Sequence, residues 1–139
     1  MDTEGYEIQV LESMHALWPQ LRALVMELQP AAWKFANVSA VRGLATLTTL
    51  MTEQSMIAVT LPHSKSGIEA HAKVVFDPCA YVMHRVAKGE LVSPTVGLDT
   101  VRVLDTEGLI GFVQHMLRFP GTRGWFHEVL LVRKTDWCV

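Results

Sequence analysis

The sequence predicts an α+β fold: an antiparallel β-sheet, formed by a four-stranded meander plus a C-terminal strand, packed against an N-terminal helix and a later helix. Three observations predict it. Apolar residues recur at spacings of three and four from Tyr6 to Leu28, alternate with polar ones between Ile68 and Phe76, and return to helical spacing after Asp105. With 139 residues, half of them apolar, the chain suits one domain spanning 1–139 with one core.

The first helix is expected over residues 6–28. Leu11, Met14, Trp18, Leu21, Val25 and Leu28 fall on one stripe. Pro19 interrupts it, removing a backbone donor and crowding the preceding turn, so a kink or a fresh start is expected there. The stripe also keeps a seven-residue period. It covers under three heptads and holds a proline, so packing on the chain's own sheet is favoured over coiled-coil pairing.

Residues 38–51 carry two conflicting patterns. Val38, Val41, Leu44, Leu47 and Met51 fit a helical face, whereas Thr46, Thr48 and Thr49 are β-branched and Gly43 weakens a helix. A strand over 44–51 is expected, with a turn at 52–55 and an antiparallel return over 56–61. Residues 68–76 place Glu69, His71 and Lys73 against Ile68, Ala70, Ala72, Val74 and Phe76. Asp77 and Pro78 suit a type I turn, and residues 81–87 form the returning strand. A short strand at 101–104 precedes Asp105, a good N-cap, with Glu107 complementing the dipole. Leu109, Phe112, Val113, Met116 and Leu117 form the inner face of the later helix, and 125–134 reads as the last strand. Gly108 and Gly111 suggest a close approach of that helix to a neighbouring backbone.

The net charge is -2. Residues 1–30 hold Asp2, Glu4, Glu7, Glu12 and Glu27 against Arg22 alone; such a segment repels nucleic acid and could favour a basic protein surface, but a solvated helix face is the favoured reading. Cys79 and Cys138 form no disulfide framework, which points to reduced thiols and a cytoplasmic setting. No apolar h-region opens the sequence and no run nears the roughly 20 residues of a bilayer span, so no membrane partner is expected.

No metal or cofactor is expected. His71 and His84 flank the Asp77–Pro78 turn, and pairing of Phe76 with Cys79 would set them opposite each other. A turn centred on Pro78 and Cys79 sets His84 opposite Lys73 instead, and two imidazoles are too few for an ordinary zinc site. Cys79 lies close enough in sequence to frame an alternative: a small metal- or thiol-dependent enzyme using His71, His84 and Cys79. No GxSxG elbow or phosphate-cradling loop is present.

The leading expectation is a non-catalytic domain that docks on another protein or protein complex. Arg118, Arg123, Trp125, Arg133 and Trp137 are the candidate contacts, because arginine and tryptophan dominate interface hot spots. Size and the lack of motifs suggest, by analogy alone, a phage- or plasmid-borne inhibitor of the anti-CRISPR type. A nucleic-acid module using the same C-terminal Arg/Trp cluster ranks behind protein binding, because residues 100–139 hold five bases against four acids.

Overall fold

The computed structural model describes residue 3 and residues 5–60, 103–118 and 127–136. The expected strands at 68–76 and 81–87 lie outside them, as do His71, Cys79 and His84. The described chain runs α1 (Glu7–Ser13), a 3-10 helix (His15–Gln20), β1 (Ala23–Leu28) and a second 3-10 helix (Pro30–Ala36). Then come α2 (Ala40–Glu53), β2 (Met56–Thr60), β3 (Val103–Leu104), α3 (Thr106–Arg118), β4 (His127–Arg133) and a last 3-10 turn (Lys134–Asp136).

Helices and a four-stranded antiparallel sheet give the α+β class. The strand order is β1-β4-β2-β3, so the described sheet is not a sequential meander. β4, from the C-terminal part of the chain, lies between β1 and β2 and pairs antiparallel with both. Its apolar run Val129–Val132 is buried, as expected of an inner strand. Met26, Leu28, Met56, Ala58, Val129 and Leu131 share one core cluster with Ile8, Leu11, Leu47, Leu50, Leu109, Phe112 and Val113. The helices therefore cover that sheet face. Ile57, Val59, Leu130 and Val132 alternate onto the other face and are buried too, outside that cluster.

Two expected elements are corrected. The helix over 6–28 ends at Ser13, and its second half is the 3-10 helix followed by β1. Pro19 sits inside the 3-10 helix, where short-range bonds tolerate it. Trp18 swings back so that its indole N–H donates to the Leu11 carbonyl at 3.0 Å, satisfying an acceptor at the end of α1. Beyond it, Met26 and Leu28 point into the core from a strand, and their spacing of two decides the local structure.

The strand expected over 44–51 lies instead within α2. Ser39 caps α2, its Oγ accepting from the Arg42 amide at 3.1 Å. The threonines fit the helix by donating backward: Thr46, Thr48 and Thr49 bond the carbonyls of Arg42, Leu44 and Ala45 at 2.8–3.0 Å. Gly43 is required by a neighbour. A Cβ built on it would lie 2.2 Å from Cζ3 of Trp33, whose ring is buried against the α2 backbone. Burial of Leu47, Leu50 and Met51 outweighs β-propensities worth tenths of a kcal/mol.

The later helix fits its expectation. Asp105 Oδ1 accepts from the Gly108 amide at 2.8 Å, and Leu109, Phe112, Val113 and Met116 are buried. Its glycines do not mark a close backbone approach. A Cβ on Gly111 would meet nothing within 4 Å, and one on Gly108 would touch only side-chain atoms of Asp105 and Leu104.

Candidate functional site

Of the five residues nominated for binding, Arg118 and Arg133 fall among the described ones; Arg123, Trp125 and Trp137 lie outside them. The two arginines have different surroundings.

Arg133 closes β4 and turns its guanidinium inward. Nε donates to the Leu21 carbonyl at 2.6 Å. Nη2 reaches the carbonyls of Trp18 at 3.2 Å and Pro19 at 2.6 Å, and Oε1 of Gln54 at 3.1 Å. The backbone acceptors lie where the 3-10 helix ends, the Trp18 carbonyl also accepting from the Leu21 amide, and the fourth acceptor is the side chain of the residue that caps α2. The backbone around it adds two more ties, Arg133 N to the Arg22 carbonyl and Lys134 N to the Ser55 carbonyl. Arg133 thus ties the end of β4 to two other segments of its own chain, Trp18–Arg22 and Gln54–Ser55. Beside it, Arg22 pairs with Asp136 in a two-bond fork at the surface.

The acidic leading segment is also engaged internally. Glu7, fully buried at the start of α1, accepts from the Gln29 amide. Burial raises its pKa above the ordinary carboxylate value, opposed by backbone N–H groups around it, among them the Gln29 amide. Glu12 forks onto Arg42 across α1 and α2, and its Oε1 shares the Thr46 hydroxyl proton with the Arg42 carbonyl, each at 3.0 Å. The Arg42 hydrogen bond holds the Glu12 carboxyl below its usual range. An acidic docking stripe on α1 therefore loses two of its members to internal contacts.

Arg118 is different. It ends α3, is exposed, and forms no ion pair among the described residues. Its sequence neighbour Leu117 lines a groove of about 260 Å³ with Pro30, Ala31, Trp33, Lys34, Val38, Ser39 and Ala40. Three elements build this groove. The 3-10 helix Pro30–Ala36 forms one wall, Asn37 in the left-handed conformation turns the chain, and the start of α2 and end of α3 complete it. Among the described residues its lining is apolar apart from Ser39 and Lys34 and holds no carboxylate.

Large apolar side chains adjoin that lining in sequence. Phe35, next to Lys34, is 81% exposed, and Val41, next to Ala40, is 78% exposed. The Lys34 ammonium lies 5.0 Å from the centre of the Phe35 ring, a cation–π contact made at the surface. The volume falls below the roughly 300–1,000 Å³ usual for small-molecule pockets. It suits an inserted side chain better than a cofactor.

Among the described residues, no three His, Cys, Asp or Glu side chains gather as a metal set, and no helix is long and apolar enough to cross a membrane. No protein-family model matches the chain, and neither does any curated protein or solved structure.

Sequence reasoning missed Lys34, Phe35 and Val41. Phe35 sits one position from the stripe that Trp33 and Ala36 bury, so a 3-10 periodicity read over Pro30–Ala36 would have turned it outward. The hydrophobic pattern puts Val41 on the inner face of 38–51, but α2 buries Gly43, Leu47, Leu50 and Met51 instead.

Proposed function

We propose that this chain is a non-catalytic protein-binding domain that docks on a partner protein or assembly through the groove face between Pro30–Ala36, α2 and α3. The exposure of Phe35 carries the reading. A phenylalanine more than four-fifths open to water, adjoining an apolar groove, suits a contact anchor better than a packing residue. Val41 supplies a second apolar contact, and Arg118 and Lys34 supply charges at the rim, where they act mainly on encounter rate and specificity.

Arg118 is carried forward from the sequence, and Arg133 is given a structural role instead. Inhibition by occlusion within a larger assembly, as phage- or plasmid-borne inhibitors of the anti-CRISPR type act, is the mode such a small docking domain fits. A cytoplasmic setting is proposed with it, supported by cysteine spacing that gives no disulfide framework.

The test is affinity capture from the native host with the wild-type chain and with Phe35→Ser and Val41→Thr. Both positions are exposed, so folding should shift by no more than about 0.5 kcal/mol. A stoichiometric partner held by wild type and released by Phe35→Ser is the expected result. Undiminished capture by both variants would remove this face from the proposal.

A further inference from the structure

The groove combines an apolar floor with one lining cation, Lys34, and a second, Arg118, next in sequence to its lining residue Leu117. Pro30, Ala31, Trp33, Val38, Ala40 and Leu117 provide the floor. Lys34 lines it, Arg118 follows Leu117, and both cations are without an ion pair among the described residues. The acids on the elements that build it sit at the far ends of their helices: Glu107 is in the first turn of α3, at the opposite end from Leu117, and Glu53 is the last residue of α2, at the opposite end from Ala40.

Resting on the docking reading, we infer that the groove takes an acidic–apolar peptide segment: a leucine or phenylalanine side chain seated between Trp33 and Leu117, with a flanking carboxylate set against Lys34 and Arg118. Charge complementarity selects this occupant. A basic segment would meet two uncompensated cations, and a purely polar acidic one would leave the apolar floor wet. A partner loop or terminus fits better than a flat surface, because a concave volume of about 260 Å³ is filled by an inserted side chain.

Fluorescence anisotropy with three labelled peptides of about twelve residues decides the matter. One combines Glu with Leu and Phe, a second replaces every Glu by Lys, and a third replaces every Leu and Phe by Ser. The first should bind wild type, and both counterparts should bind at least about fivefold more weakly, the scale of one or two surface charge contacts or one lost apolar anchor. The pair Lys34→Glu with Arg118→Glu should weaken the first peptide by at least about fivefold and flatten its salt dependence. Ala40→Trp, which fills the groove from an exposed helix position, should abolish binding while thermal unfolding shows the domain still folded.

Equal binding of the lysine peptide overturns the acidic class, and equal binding of the serine peptide overturns the apolar anchor. A single-stranded oligonucleotide that outcompetes the first peptide overturns a protein partner for these cations. Should no peptide bind at about 1 mM, the inferred partner class fails. Phe35-dependent capture in the host experiment separates this failure from that of the docking reading itself, which falls only if capture is also lost or indifferent to Phe35.

Discussion

Gly43→Ala sets two effects of opposite sign against each other. In an exposed helix interior the change stabilises by about 1 kcal/mol, because glycine has the larger unfolded-state entropy. In α2, however, the new Cβ would lie 2.2, 2.5 and 2.7 Å from three carbons of the Trp33 ring, where carbon atoms rest about 3.5–4.0 Å apart. Relief requires a movement of more than about 1 Å, on the scale of those contact distances. Trp33 is 1% exposed, so a shift of its ring toward the groove it lines would break most of its packing contacts. Overpacking of this kind costs about 3 kcal/mol or more, so the net loss is about 2 kcal/mol.

For 139 residues the unfolding entropy is about 0.3 kcal/mol per kelvin, which converts that loss into a Tm lowered by about 7 °C. Gly111→Ala is the internal control. It is also a helix glycine, but with open space around it, and its Tm should rise by about 3 °C. Differential scanning calorimetry of both, and of Gly43→Ala combined with Trp33→Leu, separates the terms. In the double variant the clash is gone, so introducing Gly43→Ala into a Trp33→Leu background should stabilise, a coupling of about 3 kcal/mol. If Gly43→Ala and Gly111→Ala raise Tm alike, the indole does not lie against α2 and the packing argument is refuted.

Arg133→Lys keeps the charge but cannot present a planar fork to the carbonyls of Leu21, Trp18 and Pro19 together with Gln54. Urea unfolding should show a loss of about 1.5–3 kcal/mol, and a loss below about 0.5 kcal/mol would reduce the clasp to an incidental contact. Glu7 binds its proton more tightly folded than unfolded, so its contribution to stability is fully present below the unfolded carboxylate pKa and is lost as pH rises through the raised folded value. Glu7→Gln removes that titration. Its stability relative to wild type should therefore improve from pH 4 to pH 8 in urea titrations, and a pH-independent difference would show that the carboxyl is not desolvated.

The legible parts of the sequence were those where one period acted alone. α3 announced itself through the Asp105 cap and a clean inner face, and β2 and β4 through short apolar runs between turns. The N-terminal region misled because two periods coincided. Met14, Leu21 and Leu28 lie seven apart, which a helix reads as one stripe. Met14 and Leu21 in fact pack against the core from separate segments, and Leu28 enters it from a strand. In α2 local propensity favoured a strand. The deciding facts, a tryptophan needing the space of a missing Cβ and hydroxyls bonding one turn back, are tertiary and conformational, and neither is written in the hydrophobic pattern.

The same distinction explains why Arg118 and Arg133 parted company. Both are arginines near the end of an element, and composition treats them alike. What separates them is where backbone carbonyls are left without partners. The break at Pro19 leaves carbonyls beside the last residue of β4, and the Arg133 guanidinium takes the Pro19 carbonyl together with the side-chain oxygen of Gln54, which caps α2. At the end of α3 the charge complements the helix dipole, but no comparable group of acceptors gathers around Arg118 among the described residues. A positive side chain on a folded surface is therefore available to a partner to the degree that the chain's own orphan carbonyls do not claim it. The cations at the groove meet that condition, and Arg133 does not.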